Sequence, residues 1–161
     1  MSSPISSNRQ FPATAQRFIA ICALAFWQGG LTFHAVVVVP VANSILTGGE
    51  QGFVTQEVTN WMNRLGVPVV AILAIYARQL RSRIFWLACA VLGLTLAALF
   101  VIHARMDAQL DPASFAIIDR AKFSLLHDLY LVVITIQWCA GLAAGWLLLS
   151  RQTVSEAASM T

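Results

Sequence analysis

Long apolar runs at residues 18–42, 61–77, 84–102 and 123–149 are separated by shorter polar stretches. Each run is near the ~20 residues that a helix needs to cross a hydrocarbon core at about 1.5 Å per residue. The pattern predicts one four-span domain over 17–150. The flanks 1–16 and 151–161, with "SSPISSNRQ" and "SEAASMT", read as disordered cytoplasmic tails. Arg9 and Arg17 precede the first run as they would a signal peptide, but the run outlasts an h-region of about 7–15 residues and reads as an uncleaved span.

Steps of three and four place Phe123, His127, Tyr130, Ile134, Gln137 and Gly141 on one stripe of the last helix. Trp27, Gly30, His34 and Val37 share a stripe of the first, and Cys89, Gly93, Leu96, Phe100 and His103 one of the third. Small residues on these stripes mark them as the packed interior, with Gly29 and Gly30 as close-packing positions. In the link before the second run, Phe53, Val54, Val58, Trp61, Met62 and Leu65 recur at helical period, which predicts an interfacial helix entering span two. Gly66 and Pro68 then predict a kink. Asp111 followed by Pro112 predicts an N-cap and first helical position ahead of span four.

Composition agrees with the pattern. Of the 161 residues 58% are hydrophobic and 11% charged, with mean hydropathy +0.74; a soluble domain is about a quarter charged. The formal charge of +3 comes from basic residues dispersed between apolar runs, which gives no reason to expect nucleic acid. Arg9, Arg17, Arg78, Arg81, Arg83 and Arg151 flank the spans on one side, while the link between the first two runs carries Glu50 and Glu57 and that between the last two balances Arg105, Arg120 and Lys122 against Asp107, Asp111 and Asp119. The positive-inside rule puts both termini in the cytoplasm. The expected fold is an all-α, antiparallel four-helix bundle in a membrane, most simply a bacterial cytoplasmic membrane. Its expected partners are the lipid bilayer and, through the glycine stripes, a second copy or another membrane protein. Cys22, Cys89 and Cys139 all fall inside apolar runs without a CxxC, which argues against a disulfide framework.

Counting from the Arg anchors places His34 roughly 25 Å, Arg64 roughly 21 Å, His103 roughly 30 Å and His127 roughly 36 Å up their spans. All three histidines therefore fall in the outward-facing half. Neutral imidazole is a common metal ligand, so His34, His103, His127 and Asp128 form a candidate transition-metal set, with Asp107 another carboxylate able to ligate or to orient a ring. His34 and His127 are the one pair suited to a bis-histidine haem b. Arg64, Asn60, Asn63, Tyr130 and Gln137 would complete a polar cavity. An ion pair of Arg64 with Asp128, Asp107 or Glu57 offsets its cost in hydrocarbon. Gln28 and Gln137 are expected to hydrogen-bond between helices. GxSxG, GKS, GKT and HExxH signatures are absent, so an enzyme is not indicated.

"FWQGGLTF" and "VVVVP" in the first helix, "QGFVTQEVTNWMN" after it and "KFSLLHDLY" opening the last resemble the small four-helix membrane proteins related to transmembrane protein 205. Trp27, Gly29 or Gly30, Phe33 and Pro40 match the first-helix pattern, and Phe123 with His127 the last. The glycine-bearing first helix is also distantly similar to the membrane domain of copper-resistance D-type proteins. The resemblance implies an integral membrane protein without established catalysis. The expected function is metal-ion or small-solute handling in the cavity; electron transfer through haem and a structural role in a membrane complex are the alternatives.

Overall fold

The computed structural model describes residues 10–46, 48–80, 82–111, 114 and 116–159. Helix α1 (Gln10–Phe33) passes through a π-helical turn, His34–Val38, into α2 (Val39–Ile45). α3 spans Gly48–Leu80, α4 Arg83–Asp107 and α5 Arg120–Ser159. Strands β1 (Leu110–Asp111) and β2 (Ala116–Ile117) pair antiparallel between α4 and α5, with Leu110 opposite Ile117. Four helical stretches are long and apolar enough to cross a membrane: Thr14–Ile45, Glu50–Leu80, Arg83–Asp107 and Arg120–Ser150.

Each stretch is longer than its apolar run, for local reasons. Pro40 does not end the first one. It has no N–H to give the Val36 carbonyl, and its ring would meet that carbonyl in a regular α-turn. The preceding turn instead widens, closing with the Val39 N–H on the His34 carbonyl, and the helix continues to Ile45. The extra residue in that turn also rotates the side chains beyond it. Val37, expected inside, is exposed, while Val38 and Val39 are half-buried.

The separate interfacial helix is corrected in the same way. The 48–60 segment and the second run form one uninterrupted helix, with Pro68 inside it. Along it Val54, Trp61 and Leu65 are exposed whereas Asn63 is buried. Asp111 does not cap the last helix, because it is engaged in the β1–β2 pair; Pro112 lies outside the described residues. Asp119 takes the capping place, accepting the Lys122 N–H at 3.0 Å, and the helix starts at Arg120. Residues 10–16 and 151–159, expected to be disordered tail, are helical; 1–9, 160 and 161 lie outside the described residues.

α1 packs against α3 and α5, and α4 against the same two helices. Hydrogen-bonded pairs Gln16–Gln79, Trp27–Met62 and His34–Thr59 step up α1 and its π turn as they step down α3. Toward the Arg78–Arg83 end the interior is dry, built from Ala20, Leu24, Leu73, Phe85, Leu92 and Leu148. There the Arg17 guanidinium donates to the Leu148 carbonyl at 2.6 Å, fastening α1 to α5. Outward-pointing side chains are equally apolar. Phe26, Leu94 and Trp146 are each more than 70% exposed, the arrangement expected of a surface bathed in hydrocarbon rather than water.

Close approach is concentrated at two glycines. A Cβ on Gly66 would lie 2.5 Å from the Trp27 ring, and one on Gly141 would overlap the Gln28 side chain. Gly30 touches Met62, but Gly29 faces open space and is not a packing position.

Candidate functional site

Beyond the dry interior, at the end opposite Arg78–Arg83, the helices part around a cavity of about 780 Å³. α1 and its π turn supply Thr32 and His34, α3 supplies Gln56 and Thr59, α4 supplies His103, and α5 supplies His127 and Tyr130. The three histidines expected to point inward together do line one cavity. Most of the remaining wall is apolar or aromatic, including Leu31, Phe53, Met106, Phe123, Ile134 and Trp138. Among the described residues, no Lys, Arg, Asp or Glu lines the cavity.

Each histidine is held differently. His34 Nε2 lies 3.1 Å from the Thr59 hydroxyl, and that hydroxyl donates its own proton to the Thr55 carbonyl at 2.7 Å. With its proton committed, Thr59 can only accept, so His34 carries its proton on Nε2. His34 Nδ1 is left buried without a partner. His103 is 2% exposed; its Nδ1 sits 3.2 Å from Asp107 Oδ1, one turn further along α4. The Gln56 amide donates to the same carboxylate oxygen, so α3 and α4 meet at Asp107. The His103 ring stands edge-on to Tyr130, with centroids 6.0 Å apart. His127 is exposed overall and stacks nearly parallel on Phe123, with centroids 6.3 Å apart.

The other expected site residues divide. Tyr130 lines the cavity and its hydroxyl approaches the Asn63 side chain behind the wall. Asn63 and Gln137 are buried outside the lining, and Asn60 is half-buried. Arg64 is turned away and exposed, with its guanidinium over the Trp61 ring at 5.0 Å. That contact replaces the expected ion pair and suits an interfacial cation and indole. Asp128 is exposed and does not line the cavity. Among the described residues no three His, Cys, Asp or Glu side chains are grouped to hold a metal ion. The set His34, His103, His127 and Asp128 is therefore not assembled, because its members occupy different walls and Asp128 faces outward. The bis-histidine haem arrangement also fits poorly, since His34 Nε2 is already bound to Thr59.

Gln28 and Gln137 do not form the expected interhelical bonds. Their amides are buried without partners, as is that of Asn63. The Gln28 side chain instead fills the space left by the missing Gly141 side chain. Unpaired buried amides cost about 1–3 kcal/mol each. This polar layer borders the dry interior.

Several wall residues escape a search keyed to histidine. Thr55, Gln56 and Thr59 alternate on α3 with apolar residues that face outward, and their one-turn spacing to Asn63 was the available signal. The Trp138 indole donates to Thr32 at 3.1 Å, an α1–α5 tie with no sequence signature. A second groove, of about 430 Å³ and lined by Phe18, Cys22, Phe26, Leu65, Pro68 and Ile72 among others, lies on the outside between α1 and α3 and is wholly apolar. No protein-family profile, curated protein or solved structure matches the chain.

Proposed function

We propose that this chain is a polytopic protein of a bacterial cytoplasmic membrane, an antiparallel bundle with both termini in the cytoplasm, whose outward-facing cavity binds a small uncharged amphipathic molecule. The carrying observation is the cavity itself: about 780 Å³, walled mainly by aromatic and aliphatic side chains, with threonines, side-chain amides and three imidazoles but, among the described residues, no charged one. A charged solute would lose its hydration there without a counter-charge, whereas a neutral molecule with one or two polar groups would not. Kinship with the relatives of transmembrane protein 205 belongs to the same proposal and rests on the first-helix and last-helix motifs.

The test is to purify the full chain in detergent, extract it with organic solvent and compare its small-molecule content by mass spectrometry with that of Ala35→Trp, which fills the cavity from the π turn. An uncharged amphiphile carried by the wild type and missing from the variant is expected; identical extracts would refute binding at this cavity. An absorbance spectrum of the same sample tests the haem alternative, which a Soret band lost in His34→Ala would favour. A reporter fused at Glu50 tests orientation, and a cytoplasmic signal there would reverse it.

A further inference from the structure

If the cavity is a ligand site, the geometry of its imidazoles says which polar group the ligand must bring. A carboxylate oxygen lies 3.2 Å from His103 Nδ1, not aligned as a hydrogen bond but near enough to repel a lone pair on that nitrogen and favour the ring proton there. Gln56 steadies the carboxylate from α3, and the edge-on contact with Tyr130 limits rotation of the ring. In its neutral form the ring has that single N–H, which leaves Nε2 as a bare acceptor. Among the described residues no protein donor meets it, although the side chain is more than nine-tenths buried. His34 reaches the same state by another route: its N–H is spent on Thr59, and its free nitrogen is also an acceptor.

His34 Nδ1 is closed off from the cavity, so His103 is the ring that offers a lone pair there, and the occupant supplies the donor. The surroundings are suited to a flat ring. Phe53, Phe123 and Trp138 contribute aromatic faces, and His127 extends that of Phe123 by stacking on it.

Resting on the cavity being a binding site, we infer that its ligand is a neutral phenol-type molecule whose hydroxyl donates a hydrogen bond to His103 Nε2, with Asp107 as the positioning residue that fixes the accepting tautomer. No proton needs to leave the ligand; the bond stays O–H···N.

The experiment compares 4-propylphenol with its methyl ether, 4-propylanisole, as ligands of the full chain in detergent, read by concentration-dependent shifts of the melting temperature. One hydrogen bond corresponds to a preference of roughly fivefold for the phenol. That preference is expected to vanish in Asp107→Leu, which removes the acceptor facing Nδ1, while ether binding persists. Equal affinities in the wild type would overturn the inference and leave the cavity reading standing. Binding of neither probe would count against both. A phenol preference retained in Asp107→Leu would overturn the role of Asp107. Nitrogen-15 spectra of histidine-labelled wild type give a check that needs no variant: His103 protonated at Nε2, alone or together with Nδ1, would overturn the inference.

Discussion

The two halves of the helix assembly are built from nearly the same apolar vocabulary and end in opposite states. In the half bearing Arg17 and Arg78, small residues such as Ala20, Ala77 and Ala144 sit among Leu24, Leu73 and Leu148, and apolar side chains fill the space between the helices. In the other half Gln28, His34, Thr59, Asn63, His103 and Gln137 point inward, and the helices separate around a cavity. Leucine and phenylalanine cannot explain the contrast, because they also cover the outside of both halves. Polar side chains carry it: they need partners, they pack less completely, and they leave room where a partner from outside the chain can sit.

The contrast can be broken first where packing is tightest. Trp27 is 1% exposed and donates its indole N–H to the Met62 carbonyl at 3.0 Å. Trp27→Ala should lower unfolding stability in detergent by about 3 kcal/mol or more; a loss under about 1 kcal/mol would mean the dry half is not closely packed. Gly66→Val pushes a side chain into that same ring and should cost about 1–3 kcal/mol, measured by the same thermal or denaturant unfolding.

At the cavity the expected effects are smaller and do not all share a sign. Thr59→Val removes the acceptor of the His34 N–H and should cost about 1 kcal/mol. Gln137→Leu removes two unpartnered buried polar atoms and should stabilise by up to about 1 kcal/mol. Destabilisation by Gln137→Leu would instead show that the amide is engaged in the native protein by water or a ligand, and would place the polar layer within the working site. The smallest change is expected outside both halves: Leu94→Ala, on the exposed apolar face of α4, should stay within about 0.5 kcal/mol.

Much of the fold was legible in the sequence, and the misses have local causes. The four apolar runs became four helices because a helix satisfies its own backbone and the tally of apolar residues is a local property. Every boundary was drawn short, since hydropathy falls before the helix does: Glu50 to Asn60 are polar enough to look like a link and yet continue α3. Pro40 looked like an ending, but a π turn can absorb a proline. The inward stripe of α5 was readable from period alone, and so was the gathering of the histidines toward one end. Asp107 was visible only as one of several carboxylates able to orient a ring. Its pairing with His103 follows the helical i to i+4 step, yet Gln56, which holds it, comes from another helix.

By itself, then, the sequence determined that there are four long apolar helices, which of their faces carry the polar residues, and that the histidines gather toward one end. Those properties depend on composition and period within single segments. Only the tertiary structure decided that Arg64 turns outward to Trp61, that Gly141 rather than Gly29 receives a neighbouring helix, and that no metal-binding group assembles among the described residues. It also decided which atoms face the imidazole nitrogens of His34 and His103. Which nitrogen of His34 or His103 carries the proton depends on the atom across from it, and for His34 that atom belongs to Thr59 on α3, which only packing brings opposite.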